Sequence, residues 1–101
     1  MRIVWSPLAL ERVNEAAEYI ARDRPEAARR WVRSLFEAVR RLERFPESGR
    51  PVPELSHRSE LREVIHGAYR VIYRVEPGQV SVLTVRHGRR LLDPSEVGEG
   101  E

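Results

Sequence analysis

One segment, Tyr69-Arg70-Val71-Ile72-Tyr73-Arg74-Val75, alternates aromatic or branched side chains with arginine, a pattern that predicts a β-strand. Successive side chains of a strand point to opposite faces of its sheet. The two tyrosines and two valines are therefore predicted on one face, and Arg70, Ile72 and Arg74 on the other. Because arginine is costly to bury without a partner, we expect the arginine face to be solvated or to meet an anion, a base stack or an acidic protein.

Further strands are predicted on either side of this segment. Residues 61–65 form one strand, followed by a tight turn at Gly67-Ala68, and residues 80–86 form another, after the turn Glu76-Pro77-Gly78-Gln79. With residues 69–75 between them, these strands make a three-stranded meander. A short strand is predicted at residues 3–5. Residues 47–59 are predicted as a loop, because proline, glycine and serine recur there.

Two helices are predicted between the first strand and this loop. Ser6-Pro7 supplies an N-cap and a proline at the first helical position, and apolar residues at helical spacing continue to about Arg22. Asp23 is the candidate cap of a second helix, which Pro25 opens and Phe45-Pro46 stops. This order is typical of an α+β fold in which an N-terminal strand joins a small, mainly antiparallel sheet and a two-helix hairpin packs on one face. The arginine face is expected to be left open.

Composition predicts one basic domain. A chain of 101 residues supports a single core, and the absence of cysteine excludes disulfides and thiolate metal sites. All 18 basic residues are arginine, and four of the 16 acids lie in the last nine positions, so residues 1–92 hold 18 arginines against 12 acids. We therefore predict a basic domain over residues 1–92 with an acidic partner, and a disordered acidic tail over residues 93–101.

Several classes of function lack support in the sequence. The chain shows no apolar run typical of a signal peptide or a membrane span, which predicts a cytoplasmic protein. The three histidines have no ligand spacing, so neither a metal nor another cofactor is expected. A glycine-rich phosphate loop, a nucleophile elbow and a paired-acid hydrolase signature are also missing from the sequence.

Two residues are the main candidates for chemistry. Arg70 is predicted on a central strand, where it can pair with Glu63 on the neighbouring strand, contact an anion, or do both. His87 follows the last strand among arginines and is a candidate general base, although a hydrogen-bonded histidine at a strand end is an equal alternative. Arg62 and Arg74 are expected to be plain surface charges.

Several motifs, in this order along the chain, resemble the RelE/ParE superfamily of type II toxins. They are Trp5-Ser6-Pro7, Pro46-Glu47-Ser48-Gly49-Arg50, Leu61-Arg62-Glu63, the segment 69–75 and the closing Arg86-His87-Gly88-Arg89-Arg90. The resemblance covers residues 2–90. It implies a bacterial toxin that is neutralised by an acidic antitoxin encoded beside it, and a complex that binds its own promoter DNA through the antitoxin.

The resemblance implies one of two activities. RelE-like members are ribosome-dependent endoribonucleases that cut mRNA, whereas ParE-like members block DNA gyrase. Arg70 matches the sheet arginine that stabilises phosphate charge in the nucleases. However, Arg62 and Val64 stand about where the nucleases carry a lysine pair, and no tyrosine follows Tyr73. These departures favour a ParE-like, non-enzymatic inhibitor of gyrase.

The alternatives assign the same residues differently. In a nuclease, Arg70 would hold the scissile phosphate, His87 or Glu63 would be the base, and Arg89 or Arg90 would assist. A family member that only binds its antitoxin is a third possibility. As contacts to a partner or to nucleic acid, we predict Arg62, Arg70, Arg74, Arg86, His87, Arg89 and Arg90.

Overall fold

The computed structural model describes residues 1–98 and builds them into a five-stranded sheet with two helices on one face. The strands lie in the order β1-β5-β4-β3-β2. The first pairs in parallel with the last, and every other neighbouring pair is antiparallel. The predicted α+β class is confirmed. Along the chain, the strands are β1 (Arg2–Trp5), β2 (Arg50–Pro51), β3 (Leu61–His66), β4 (Tyr69–Glu76) and β5 (Gln79–His87).

The helices are α1 (Pro7–Ala21) and α2 (Pro25–Arg40), and they pack together as the predicted hairpin. The hydroxyl of Ser6 accepts a hydrogen bond from the N–H of Ala9 at 3.0 Å, as expected of an N-cap. The predicted cap of the second helix is wrong. Arg24, not Asp23, occupies that position and makes no side-chain cap.

The turn between β4 and β5 shows why glycine is needed there. Glu76 pairs with Gln79, so Pro77 and Gly78 form a two-residue connection. Gly78 has a φ of 72°, a conformation that residues with a Cβ rarely adopt. This turn sets the register of the two central strands.

The face of the sheet that meets the helices holds the larger core. Tyr73, Val71, Leu35 and Val39 are buried in it, and Tyr69 packs against it. The alternation predicted for β4 is therefore confirmed. Within residues 1–98, neither helix has the length and apolar character that crossing a bilayer would require.

The arginine face is covered, contrary to expectation. A second apolar cluster lies there, formed by Val52, Leu61, Ile72, Leu92 and Val97. Two chain segments supply the cover, and each contains a short 3-10 helix, Pro53–Leu55 in the predicted loop and Pro94–Glu96 near the C-terminus. We call residues 92–98 the C-terminal strap.

The predicted disordered tail is wrong for residues 93–98. Val97 is buried against the sheet, and Glu96 forms ion pairs with arginines of the body, so this acidic segment has both apolar and charged partners. Positions 99–101, which belong to the same prediction, lie outside the described residues.

Candidate functional site on the arginine face and the basic tip

Arg70 lies at the centre of the arginine face and is only 6% exposed. Its Nε and Nη2 donate to Glu63 at 2.9 and 2.7 Å, while Nη1 and Nη2 form a fork with Glu54 at 2.8 and 2.7 Å. Nη1 also donates to the carbonyl of Arg90 at 3.3 Å, which engages all five N–H groups of the guanidinium. The hydrogen bonds that Arg70 donates to Glu54 and Glu63 raise the pKa of Arg70. The predicted pair with Glu63 is confirmed, and no donor of Arg70 remains for an external anion.

Glu63 is fully enclosed. Its side chain has no exposed surface, and its two oxygens accept from Arg70 and from Nε of Arg50, the latter at 2.6 Å. A carboxylate that is buried and paired on both oxygens cannot take a proton from a substrate. The nuclease role predicted for Glu63 therefore finds no support in its position.

The turn before β2 places Arg50 against Glu63. The hydroxyl of Tyr73 donates to the carbonyl of Pro46 at 2.8 Å and accepts from the N–H of Gly49 at 3.0 Å. A Cβ at Gly49 would lie 2.5 Å from the same hydroxyl oxygen, so the turn requires glycine. The turn thus positions the side chain of Arg50 beside the buried Glu63. It is formed by the motif Pro46-Glu47-Ser48-Gly49-Arg50.

The remaining arginines of the sheet also bind the protein itself. Arg62 donates to the carbonyls of Glu47 and Gly49 at 3.1 and 2.8 Å. Arg74 donates to the carbonyl of Val97 at 2.6 Å. Neither is a plain surface charge, because each ties a connecting segment to the sheet.

Glu96 is a second carboxylate with several partners in the chain, and sequence reasoning missed it. Its Oε1 accepts from the hydroxyl of Thr84 at 2.6 Å, and its Oε2 accepts from Arg12 at 3.0 Å and from Arg86. Burial alone would raise the pKa of Glu96, but Thr84, Arg86 and Arg12 outweigh it and lower the pKa. Arg86, which was predicted to contact a partner, is therefore ion-paired within the chain.

Glu54 was missed as well. It lies in the predicted loop, yet it forms the fork with Arg70 and accepts from the N–H of Leu92 at 2.9 Å. The hydrogen bond from Arg70 is the main reason why the pKa of Glu54 falls to about 2. The sequence offered one signal that this face is covered. Leu92 and Val97 are two apolar residues inside an otherwise acidic segment, and such a pattern is typical of a segment that packs against the body.

The accessible part of the predicted site is His87, Arg89 and Arg90. They lie in residues 87–91, which we call the basic tip. Arg89 and Arg90 are exposed, and Leu91 is 80% exposed. The ring of His87 meets Tyr69 edge-on at 5.4 Å between ring centroids, and its Nδ1 accepts from the N–H of Arg89 at 3.2 Å. Of the seven predicted contact residues, the structure thus leaves His87, Arg89 and Arg90 together at the surface.

Two clefts flank the basic tip. The larger, of about 590 Å³, separates the tip from the turn between β3 and β4, and Ile65 and Leu91 supply apolar walls. The smaller, of about 360 Å³, lies between the tip and α1. Tyr69, His87 and Arg90 line both. In the part of the chain that the structure describes, no three acidic or histidine side chains are grouped to hold a metal ion.

Comparison with known proteins identifies the family. The family model for the ParE toxin of the type II toxin–antitoxin system parDE matches residues 3–92. The chain belongs to this ParE toxin family. It is 38% identical over 89 residues to a Sinorhizobium fredii protein named "Putative toxin Y4kP", which covers 88% of this chain and 90% of the relative. It is 33% identical over 91 residues to "Toxin RelE2" of Caulobacter vibrioides, and this match covers 89% of this chain and 98% of the relative.

A solved structure has the same fold as this ParE-family toxin. It is described as the chromosomal ParDE TA system from P. aeruginosa, and it matches with a TM-score of 0.72 and 20% identity over 86% of this chain and 95% of that chain. The resemblance to the RelE/ParE superfamily is confirmed. The protein is the toxin component of a type II toxin–antitoxin system, and this family implies a cognate antitoxin as its partner.

Proposed function

We propose that this ParE-family toxin arrests growth by inhibiting DNA gyrase, and that it does not cleave RNA. The main support for the proposal is that all five N–H donors of Arg70 are hydrogen-bonded within the chain. In a nuclease of this superfamily, the sheet arginine would have to face the scissile phosphate. Here it faces two glutamates instead.

The remaining groups form an incomplete nuclease site. Cleavage of a phosphodiester requires a base for the 2′-hydroxyl, stabilisation of charge and an acid for the leaving oxygen. Of the candidates, Glu63 is enclosed, and His87 makes its only side-chain hydrogen bond in the described chain to a backbone N–H. Arg89 and Arg90 can contribute charge, but arginine side chains do not serve as the base or the acid of this reaction.

The basic tip fits a protein target. Leu91 and Ile65 expose apolar surface beside Arg89 and Arg90, and arginine next to apolar side chains is common at the centre of protein interfaces. We assign the contact with gyrase to this tip. Gyrase acts in the cytoplasm, so the proposal includes a cytoplasmic location.

The antitoxin completes the proposal. The toxin body is basic, and an acidic segment of the cognate antitoxin would complement it. Contact of the complex with its promoter DNA is assigned to the antitoxin, since the four predicted sheet cations Arg62, Arg70, Arg74 and Arg86 are bound within the toxin.

A ribosome-dependent endoribonuclease of the RelE type is the second candidate. It is favoured by one observation, the position of His87 at the surface beside Arg89 and Arg90. This candidate requires that His87→Ala abolish mRNA cleavage in a translating extract while the protein stays folded.

One experiment separates the two. Purified toxin is added to a gyrase supercoiling assay and to a translating extract with labelled mRNA. We expect supercoiling to stop and the mRNA to stay intact, and Arg89→Ala/Arg90→Ala to raise the half-inhibitory concentration by about tenfold or more. The matched control is Arg30→Ala/Arg33→Ala, which removes two exposed cations from α2. Cleaved mRNA with active gyrase would establish the second candidate, and no effect in either assay would indicate a member that only binds its antitoxin.

A further inference from the structure

The C-terminal strap covers the arginine face without joining the sheet. In the described part of the chain, the backbone–backbone hydrogen bonds of residues 90–97 stay within residues 87–97. Side chains hold the strap instead, with Leu92 and Val97 buried and Glu96 ion-paired. A segment held in this way can open without unfolding the strands beneath it, so its position depends on a few contacts.

Two carboxylates fix the strap near its two ends. At the start, Glu54 accepts from the N–H of Leu92 while it holds Arg70. Toward the other end, Glu96 is enclosed by three donors, and its side chain is 8% exposed. Hydrogen bonds in which one group is charged are stronger than those between neutral groups. Arg74 and Arg58 add two of this kind, to the carbonyls of Val97 and Gly98 at 2.6 and 2.7 Å. The two carboxylates are therefore the acidic part of a charged attachment.

The contact between Glu54 and Leu92 also holds one end of the basic tip. Where the tip begins, the N–H of Gly88 donates to the carbonyl of Ala68 at 2.7 Å. Where it ends, Arg70 binds the carbonyl of Arg90, and Glu54 binds the N–H of Leu92. The exposed side chains between these points therefore stand on a backbone that is held on both sides. A binding segment that is already ordered loses less entropy when its partner arrives.

We propose that Glu54 and Glu96 are positioning residues for target recognition, and that they act by holding the strap and, through it, the basic tip. Neither carboxylate touches the target. The inference rests on the proposed function, because it requires that the tip be the contact surface. We expect loss of Glu96 to loosen the strap while the core between helices and sheet stays intact, and this difference would separate the role from a general contribution to folding.

Glu96→Gln tests the role with little change of shape. Glutamine can still accept from Thr84, but it no longer carries the charge that Arg12 and Arg86 bind. The matched control is Glu15→Gln, which removes an exposed carboxylate paired with the same Arg12 at 3.2 Å. We expect Glu96→Gln to raise the half-inhibitory concentration for gyrase about tenfold and Glu15→Gln to leave it unchanged.

Hydrogen exchange supplies the readout that a general loss of structure would not reproduce. In Glu96→Gln, the amides of Leu92 and Val97 should exchange faster, while those of β4 keep their wild-type rates. Thr84→Val removes one of the three contacts to Glu96 and should fall between wild type and Glu96→Gln in both assays.

The outcomes distinguish the two proposals. If wild type does not inhibit gyrase, both proposals fail. If the Arg89→Ala/Arg90→Ala variant inhibits gyrase as well as wild type does, gyrase inhibition stands, but the tip is not the contact surface and the positioning role is overturned. If that variant loses inhibition while Glu96→Gln and Glu15→Gln remain equal, the proposed function stands and the positioning role is overturned. Equal acceleration of exchange in the strap and in β4 would also overturn the positioning role, since the effect would then be global.

Discussion

The two faces of the sheet are stabilised in different ways. The face under the helices is covered by regular elements whose apolar side chains interlock, with Leu35, Val71 and Tyr73 at its centre. The arginine face is covered by irregular segments, and a chain of alternating charges runs across it from Arg50 through Glu63 and Arg70 to Glu54. A row of arginines on a strand is therefore not evidence of an open binding surface when carboxylates of the same chain can reach it.

This difference makes the arginine face the more sensitive to single substitutions. Removing part of an apolar side chain leaves a cavity that the neighbours partly fill. Removing one member of a buried ion network leaves its partners charged, desolvated and unpaired, and the cost is often greater. Because Arg70 pairs with two acids, we predict that removing any member of this ion network lowers the stability of the fold.

Arg70→Ala gives the largest expected effect. It leaves Glu54 and Glu63 without their shared partner, and we expect the free energy of unfolding to fall by about 4 kcal/mol, which is near the limit that a domain of this size tolerates. Leu35→Ala, in the helix-side core, should cost about 3 kcal/mol. Urea unfolding followed by circular dichroism measures both.

The proposed difference between the two faces is wrong if Arg70→Ala leaves the free energy of unfolding nearly unchanged. That result would mean that the guanidinium is solvated in solution and that the arginine face is open, as the sequence alone had suggested. The exposed substitution Arg33→Ala serves as the control and should change stability by less than about 0.5 kcal/mol.

Tyr73→Phe gives an intermediate effect, because Tyr73 serves both faces. Its ring lies in the helix-side core, while its hydroxyl holds the turn that delivers Arg50 to Glu63. Phenylalanine keeps the ring but leaves the N–H of Gly49 and the carbonyl of Pro46 without that partner, which should cost about 2 kcal/mol in the same urea titration. An unchanged midpoint would mean that the turn forms without the hydroxyl.

The smallest expected effect is the acid response of Glu54. Its pKa is about 2 in the folded protein against an ordinary value of 4.5, so its contribution to stability is complete above about pH 4.5 and is lost as the pH falls toward 2. Urea midpoints at pH 7, 4.5 and 3 should therefore decline less steeply in Glu54→Gln than in wild type. Glu37→Gln, an exposed substitution on α2, is the control, and equal slopes in Glu54→Gln and wild type would show that Glu54 is not paired with Arg70 in solution.

The regular part of the fold was predictable because its signals are local. Periodicity located both helices and the meander, the Ser6 cap and Pro25 marked where the helices begin, and the alternation in β4 assigned its two faces correctly. The pairing of Arg70 with Glu63 was also predictable, since the two residues lie on neighbouring strands. The family resemblance covered the same region that the ParE toxin model matches.

The cover of the arginine face was not predictable in the same way. Glu54 and Glu96 lie 16 and 10 residues from their arginine partners Arg70 and Arg86, in segments without periodicity. Their composition resembles that of a loop and a tail. Only the tertiary contacts show that these acids are internal counter-ions, and that the arginines accordingly face inward, leaving the basic tip as the exposed part of the predicted site.

Modification by phenylglyoxal, followed for each residue by mass spectrometry, distinguishes paired from accessible arginine side chains in solution. We expect the sheet arginines to be protected because they bind acceptors of the chain itself, whereas the side chains of Arg89 and Arg90 have no hydrogen-bond partner within residues 1–98. Arg89 and Arg90 should react at rates close to those of the exposed Arg30 and Arg33, and Arg70 and Arg86 should be strongly protected. Modification of Arg70 at the rate of Arg89 would show that the arginine face is open and that Arg70 is not bound by Glu54 and Glu63.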